Sequence, residues 1–142
     1  MKMDVFIDTD VIISSLLSTQ GAAYLLLQQR KMKLYISSYS LKEAEIVVKR
    51  LDIKPQKLRG LIDKPLIIIP LRSSLWQIQS SYKQYVTDLD DAHIVAGAKE
   101  AKTKFLISYN IKHFKVDGIK RDLGITILTP GSFIQYLRSL QR

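Results

Sequence analysis

The sequence predicts a three-layer α/β/α fold, in which a central parallel sheet of four to five strands lies between two layers of helices. Three observations support this prediction. Short apolar segments alternate along the chain with longer segments of helical periodicity. The apolar segments contain few polar side chains, which is typical of parallel strands covered on both faces. The 142 residues, 46% of them hydrophobic, suffice for one core, so we expect a single domain over residues 1–142.

The first half of the chain shows this alternation of strands and helices. Strands are predicted at residues 4–7, 33–36 and 66–69. Helices are predicted at residues 11–18, 21–29, 40–50 and 55–63. Pro55 supports the start of the last of these helices, because the first turn of a helix has no partner for the amide hydrogen that proline lacks.

The second half of the chain continues the pattern with two further strands. They are predicted at residues 105–108 and 125–128. Helices are predicted at residues 74–85, 90–101 and 131–140. Because strands and helices alternate, the connections between strands are crossovers, and crossovers join parallel neighbours.

The chain is basic, with 22 lysines and arginines against 13 acidic residues and a formal net charge of +9. Such a charge favours polyanionic partners such as RNA through long-range attraction and counterion release. The absence of cysteine excludes disulfides, thiolate zinc sites and thiol nucleophiles. No apolar run approaches the ~20 residues of a membrane span, and the N-terminus lacks the pattern of a signal peptide. We therefore expect a soluble, cytoplasmic protein with no membrane partner.

Seven of the 13 acidic residues fall in three tight groups. The groups are Asp8 with Asp10, Glu43 with Glu45, and Asp88 with Asp90 and Asp91. Taken separately, each group is explained by helix capping, since short polar and acidic side chains stabilise helix N-termini. Ser40 and Glu43, for example, have the spacing of a capping box. Capping is therefore the structural alternative to a role in catalysis.

Taken together, the three groups are expected at three junctions between a strand and the following helix. In a parallel sheet with right-handed crossovers, such junctions lie along one edge, where ligand sites form. Carboxylates crowded into one cleft raise one another's pKa unless a cation lies between them. Oxygen-only ligands favour Mg²⁺ or Mn²⁺ over zinc. The acids together therefore predict a divalent-metal site.

Helical phase distinguishes the acids within each group. Asp91 continues the apolar stripe of its helix, whereas Asp90 points about 100° away and is expected to be solvated. Asp88 lies one turn earlier and is either a second ligand or part of the cap. Glu43 lies on the apolar side of its helix, whereas Glu45 precedes a lysine by four residues, the spacing of a surface ion pair. We therefore select Asp91 and Glu43, with Asp8, as the candidate catalytic acids.

Three segments of the chain have a distinctive pattern: VFIDTDVIISSLL (residues 5–17), ISSYSLKEAEIV (36–47) and DLDDAHIVAGAKEAKTKFLISYNIKHF (88–114). In this order they resemble the PIN domain family, which includes the VapC toxins. The resemblance implies that Asp8, Glu43 and Asp91 bind a divalent metal. It also implies an endoribonuclease that hydrolyses RNA with a metal-activated water and leaves a 5′-phosphate, commonly as a homodimer. A VapC-like toxin also has a cognate antitoxin protein as its partner.

Asn110 falls where many members of this family have a further aspartate, although VapC-like relatives often have asparagine there. Its carbonyl oxygen can accept a metal or a water but adds no negative charge. The alternative is that Asn110 shapes a turn or caps the segment 111–114. Asp10 would partly restore the missing charge. Asn110, Asp10 and Asp88 are therefore further candidate metal ligands.

The two histidines, His93 and His113, lack the spacing of a metal site. His113 lies close to Lys112 and Lys115, so these three residues are candidates to contact the phosphates of a nucleic acid. An exposed loop without a function is the alternative explanation.

Three aromatic residues, Trp76, Tyr82 and Tyr85, lie in the predicted helix at 74–85. They either stack on nucleic-acid bases or are buried in the core or in a dimer interface. Their helical spacing favours burial.

Two other functions remain open at this point. The run Asp8-Thr9-Asp10-Val11 after a strand also fits haloacid-dehalogenase-like phosphatases, in which the first aspartate is a nucleophile and the second a general acid. That family requires a late acidic pair directly after a strand. The other alternative is a PIN-like module that has lost metal affinity through Asn110 and binds RNA or protein without cutting.

Overall fold

The computed structural model describes residues 2–141, and its centre is a five-stranded parallel sheet. The strands are β1 (Met3–Ile7), β2 (Met32–Ser37), β3 (Leu66–Ile69), β4 (Phe105–Ile107) and β5 (Thr126–Leu128). They lie in the order β3-β2-β1-β4-β5, so β1 is the central strand. Because all five strands run in the same direction, they all end at one side of the sheet, here called the carboxyl edge. The predicted parallel sheet is confirmed.

Eight α-helices and three short 3₁₀ turns connect the strands within residues 2–141. The helices are α1 (Thr9–Leu17), α2 (Ala22–Leu27), α3 (Ser38–Arg50), α4 (Pro55–Asp63), α5 (Leu75–Tyr82), α6 (Ala92–Glu100), α7 (Val116–Leu123) and α8 (Pro130–Ser139). The 3₁₀ turns are Lys83–Tyr85, Leu89–Asp91 and Ile111–His113. None of the described helices is long and apolar enough to cross a membrane.

Alternate side chains of β1 enter two separate cores, one on each face of the sheet. Val5 and Ile7 lie in the first core and Phe6 lies in the second, and all three are fully buried. Buried side chains of α1, α2, α3, α4 and α8 complete the first core, and those of α5, α6 and α7 complete the second. The predicted α/β/α layering is therefore confirmed.

Helix α6 packs closely on the sheet because Gly97 has no side chain. A Cβ atom at this position would lie 2.5 Å from Cζ of Phe6, much closer than packed atoms approach. Every residue of α6 from Ala92 to Ala98 is buried. This packing holds the N-terminus of α6 at the carboxyl edge of the sheet, where Asp91 lies directly before the helix.

The predicted capping box at Ser40 and Glu43 is wrong. Helix α3 begins directly after β2, and its capping residue is Ser37, whose Oγ accepts a hydrogen bond from the Ser40 amide at 3.0 Å. Because the strand runs into the helix without a loop, the last residue of the strand takes the capping position. A capping box is present instead at the start of α5, where Ser74 and Gln77 bond each other's backbone amides.

Helix α7 has no counterpart among the predicted elements. Val116, Ile119 and Leu123 have helical spacing and pack on the second core. The helix is short, however, it has a glycine in its interior, and no side chain caps its N-terminus. The capping and propensity signals that mark a helix in sequence are therefore weak here. The helix ends at Gly124, whose φ of 69° is the left-handed conformation that glycine adopts most readily.

Candidate active site

The carboxyl edge of the sheet brings together polar residues that are distant in sequence. Asp8 directly follows the central strand β1, and Ser108 and Asn110 follow its neighbour β4. Asp91 does not follow a strand, contrary to the prediction, but ends the 3₁₀ turn before α6. Because α6 leads into β4, it begins at the edge where the strands end. Asp91 is therefore at the expected edge, but it is placed there by the turn before α6 and not by the end of a strand.

Asp8 is buried, with 8% of its surface exposed, and both of its carboxylate oxygens accept hydrogen bonds. The Thr9 amide donates to Oδ1 at 2.7 Å, so Asp8 caps α1 as predicted. The Ser108 hydroxyl donates to Oδ2, also at 2.7 Å. Burial, followed by the negative charge of Asp10 and a smaller contribution from Asp91, raises the pKa of Asp8 to about 8. Asp8 is therefore an acid held in an environment that disfavours its negative charge.

Asp10 lies in the first turn of α1 and has two unlike oxygens. Its Oδ2 accepts from the Tyr109 amide at 3.1 Å and from the Asn110 side-chain amide at 2.9 Å, with the Ser108 hydroxyl at 3.4 Å. Its Oδ1 is buried and has no hydrogen-bond partner. Burial raises the pKa of Asp10, and contacts with the backbone of Tyr109 and Val11, the Ser108 hydroxyl and the backbone of Asn110 oppose that rise.

Asp91, which directly precedes α6, contacts a histidine. Its Oδ2 is 3.3 Å from Nδ1 of His113. Burial raises the pKa of Asp91, the contact with His113 opposes the rise, and nearby Asp88 adds to it. Asp88 is itself the cap of the 3₁₀ turn, since its Oδ1 accepts from the Asp90 amide at 2.9 Å.

Glu43 projects from α3 and pairs with a buried histidine. Its Oε1 lies 2.9 Å from Nε2 of His93, and its side chain is 49% exposed against 6% for His93. The ring of His93 also packs against Tyr39, with centroids 5.9 Å apart. The second ring nitrogen, Nδ1, is buried without a hydrogen-bond partner. Glu43 is thus the most accessible of the three selected acids, and one buried side chain holds it.

Both histidines contact an acid of the candidate site, a feature that sequence reasoning missed. The spacing of the histidines along the chain does not predict these contacts, because each histidine and its acidic partner lie on different elements. The position of His93, two residues after Asp91 in a helix of small buried residues, was the only available hint. These contacts do not test whether either histidine binds a metal, so the expectation that neither does stays a prediction.

Several other candidates lie on exposed surface. Lys112, His113 and Lys115 are exposed in and beside the 3₁₀ turn after β4. Glu45 is exposed as predicted, but no ion pair with Lys49 is present in the described part of the chain.

The aromatic set of α5 is divided between core and surface. Tyr85 is buried and Tyr82 is half-buried, as their spacing predicts. Trp76 is 75% exposed, so its burial in the core is wrong, whereas its burial in a dimer interface stays a prediction. The inward position of this short helix is taken by Ile78.

The chemistry of the donor set fits a divalent cation. Asp8, Asp10 and Asp91 offer oxygen ligands only, and their mutual repulsion contributes to the raised pKa of Asp8. Asp10 Oδ1 is a buried carboxylate oxygen without a partner. As the side chains stand, no three acidic, histidine or cysteine residues within 2–141 are grouped closely enough to hold one ion. The histidines each contact one oxygen, Oε1 of Glu43 and Oδ2 of Asp91, so the other oxygen of each carboxylate is the one available to a cation.

The arrangement of a haloacid-dehalogenase-like phosphatase is absent from the described residues. Such a site requires an acidic pair directly after a late strand. Strand β4 is followed by Ser108, Tyr109 and Asn110, and β5 is followed by Thr129 and Pro130. The run from Asp8 to Val11 therefore lacks its required counterpart.

Comparison with known proteins identifies a sequence family. The sequence model of the PIN domain family matches residues 4–112. This segment includes every selected acid and Asn110. A search of curated protein sequences found no match.

Solved structures with a similar fold include a toxin–antitoxin complex and two protein complexes bound to DNA. VapBC2 from Rickettsia felis, bound to a DNA fragment from its promoter, matches 89% of this chain and 98% of its own, with 20% identity and a TM-score of 0.64. A toxin–antitoxin complex from Klebsiella pneumoniae matches 89% and 97%, with 21% identity and a TM-score of 0.66. FitAB bound to the IR36 DNA fragment matches 89% and 94%, with 19% identity and a TM-score of 0.57. At these identities the likeness establishes the fold.

Proposed function

Since the chain belongs to the PIN domain family, we propose that it is a divalent-metal-dependent endoribonuclease. The observation that carries this proposal is the buried carboxylate group at the carboxyl edge of the sheet. Asp8 and Asp10 are crowded together, and Asp91 is close enough to contribute to the raised pKa of Asp8. Without a cation, such crowding of carboxylates destabilises the folded protein. A bound cation offsets the repulsion, so the same crowding favours binding of the cation. A purely capping role requires one acid at each helix, not a shared group.

Asp8, Glu43 and Asp91 would hold Mg²⁺ or Mn²⁺, with Asp10, Asn110 and Asp88 as further candidates. A divalent ion bound there lowers the pKa of a water molecule and neutralises negative charge on a phosphodiester. The product would carry a 5′-phosphate. No cysteine is available as a nucleophile, and hydrolysis by water needs none.

The surrounding residues orient the acids for this task. Ser108 and the Thr9 amide each take one oxygen of Asp8, so the carboxylate cannot rotate freely. The buried side chain of His93 contacts Oε1 of Glu43 and so restricts the rotation of this carboxylate. These contacts reduce the conformational entropy that metal binding would otherwise remove.

Exposed cations beside the site provide contacts for the substrate. Lys112 and Lys115 flank His113, which itself touches Asp91. A polyanion that reaches the acids therefore passes these side chains, and the net charge of +9 favours its approach. We propose that Lys112, His113 and Lys115 contact RNA phosphates.

The proposal is tested by incubating a 5′-labelled single-stranded RNA with the purified chain. Cleavage should require Mn²⁺ or Mg²⁺ and should stop in EDTA. Asp8→Asn should reduce the rate about 100-fold or more, since loss of a ligand costs at least as much as loss of its supporting contacts. The matched control is Asp90→Asn, which removes the same charge from an exposed neighbour of Asp91. Equal activity of wild type and Asp8→Asn would contradict the proposal.

A protein partner is the second part of the proposed function. The compared structures include a toxin–antitoxin complex, and on that basis we propose that this chain is a toxin neutralised by a cognate antitoxin. Expression of the chain alone should arrest growth, and Asp8→Asn should relieve the arrest. Coexpression of an adjacent small gene that encodes a DNA-binding protein should also restore growth.

A homodimer is the third part. The side chain of Trp76 on α5 is 75% exposed. Aromatic residues are enriched in the cores of protein interfaces. Light scattering should give twice the mass of 16.3 kDa, and Trp76→Ala should shift the chain towards the monomer. A wild-type monomer at micromolar concentration would contradict this part.

One observation favours a second function, a module that binds RNA without cutting it. Glu43 and Asp91 contact histidines, and Asn110 contributes no charge to the site. Retarded migration of RNA with the chain in EDTA, with no cleavage on adding Mn²⁺, would favour this function over the nuclease.

A further inference from the structure

The turn from Ser108 to Asn110, directly after β4, contacts two aspartates of α1. The Ser108 hydroxyl donates to Asp8 Oδ2 at 2.7 Å and accepts from the Asn110 backbone amide at 3.0 Å. The Tyr109 amide donates to Asp10 at 3.1 Å. These residues are about 100 positions apart in sequence, so the contacts are made by the fold and not by local chain geometry. One turn therefore orients both carboxylates.

The two oxygens of Asp10 differ in a way that indicates a ligand. Two donors bond Oδ2, the Tyr109 amide at 3.1 Å and the Asn110 side-chain amide at 2.9 Å. Ser108 Oγ lies 3.4 Å away, with its single proton donated to Asp8. Oδ1 is buried and has no donor. A buried, charged oxygen without a hydrogen-bond partner is costly, and groups of this kind call for an ion or another specific partner. The donors leave Oδ1 as the oxygen with free lone pairs.

Asn110 takes part in this arrangement as a donor. Its side-chain nitrogen lies 2.9 Å from Asp10 Oδ2. A carboxylate only accepts hydrogen bonds, so the group that faces it must be the amide NH₂ and not the carbonyl oxygen. Asn110 is therefore bound to Asp10 through the end of its side chain that cannot ligate a metal.

Asp88 is less suited to the same role. Its Oδ1 caps the 3₁₀ turn by accepting from the Asp90 amide at 2.9 Å. Its side chain is exposed, whereas the free oxygen of Asp10 is buried next to Asp8. Among the three additional ligand candidates, Asp10 is thus the one with an unpartnered buried carboxylate oxygen.

We propose that Asp10 is the fourth carboxylate ligand of the metal, through Oδ1, and that Asn110 is a positioning residue that orients Asp10. The proposal rests on the proposed function, since it assigns roles within the same metal site. It predicts that the negative charge missing at position 110 is supplied from the first turn of α1.

Mn²⁺ binding to the metal-free chain, measured by isothermal titration calorimetry without RNA, tests these roles. Asp10→Asn should weaken Mn²⁺ binding about 100-fold, as expected for a ligand. Asn110→Ala should weaken it about 10-fold, as expected for a supporting contact. Asn110→Gln retains an amide donor and should recover part of that loss. Asp90→Asn should bind as the wild type does.

Thermal unfolding in EDTA shows whether each metal-free variant is folded, so that a loss of Mn²⁺ affinity is not caused by unfolding. Asp10→Asn removes a charge that repels Asp8, so it should unfold at no lower temperature than the wild type. If it nevertheless does not fold, the pair Asn110→Ala and Asn110→Gln tests the positioning role by loss and partial recovery of Mn²⁺ affinity.

Other results of the calorimetry would contradict either the roles of Asp10 and Asn110 or the proposed function itself. An Asn110→Ala variant that loses as much affinity as Asp10→Asn, or more, makes Asn110 the ligand and overturns the proposed roles. Loss of binding in Asp8→Asn with unchanged binding in Asp10→Asn overturns this inference and leaves the proposed function standing. A wild type that binds no Mn²⁺ overturns both.

Discussion

The raised pKa of Asp8 predicts that its replacement by asparagine stabilises the metal-free protein. Burial, with the charges of Asp10 and Asp91, raises this pKa from 3.8 to about 8. At pH 7 this difference costs the folded state about 4 kcal/mol, because each pKa unit corresponds to about 1.4 kcal/mol. Asparagine removes that cost. It accepts one hydrogen bond where Asp8 accepts two, a loss of about 1 kcal/mol. The free energy of unfolding should therefore rise by about 3 kcal/mol.

The pH dependence of this gain has a defined sign. The pKa of Asp8 is higher in the folded than in the unfolded protein, so the unfavourable contribution is absent below about pH 4 and grows as the pH rises towards 8. The stability advantage of Asp8→Asn should consequently be largest near pH 8 and clearly smaller at pH 5. For a chain of this length, about 3 kcal/mol corresponds to a rise in Tm of about 6–12 °C.

Thermal unfolding followed by circular dichroism in EDTA measures this difference. The control is Asp90→Asn, an exposed substitution that should change Tm by no more than about 2 °C. Added Mn²⁺ should raise the Tm of the wild type and leave that of Asp8→Asn unchanged, since ligand binding stabilises only the form that binds. A Tm for Asp8→Asn below that of the wild type at pH 8, or a difference that does not vary with pH, would refute the reasoning.

Substitutions at three further positions test the packing and the contacts around the site. Gly97→Ala should destabilise the protein by about 1–3 kcal/mol in urea unfolding, because its Cβ would overlap the ring of Phe6; unchanged stability would show that α6 does not pack so closely. His93→Ala should weaken Mn²⁺ binding about 10-fold through loss of its contact with Glu43, while His93→Gln, which keeps a donor near Nε2, should recover part of it in calorimetry. Ser108→Ala should lower RNA cleavage about 10-fold by removing the hydrogen bond to Asp8, and a rate equal to that of the wild type would contradict the orienting role.

The sheet and its layers could be predicted because their signals are local and strong. Residues of β1 are apolar at every position that enters a core, and the following Asp8 marks both the end of the strand and the cap of α1. Helical phase also identified Asp91, since a carboxylate in line with buried residues needs a specific partner. These inferences require only the spacing of residues within about one helix or strand.

The contacts that organise the site could not be predicted in the same way. Glu43 and His93 lie on different helices, and Asp10 and Asn110 are 100 residues apart. Which oxygen of Asp10 is bonded depends on the path of the turn after β4, which no residue spacing specifies. Helix α7 was missed for a different reason, because the segment is short, contains an interior glycine and has no polar cap.

The most direct test of the metal site is anomalous scattering from crystals of the protein soaked in MnCl₂. A manganese peak is expected at the carboxyl edge of the sheet, within coordination distance of Asp8, Glu43, Asp91 and Asp10. The same peak should be missing from crystals of Asp8→Asn. A peak elsewhere on the surface, or none at this edge at millimolar Mn²⁺, would show that these acids do not form the metal site.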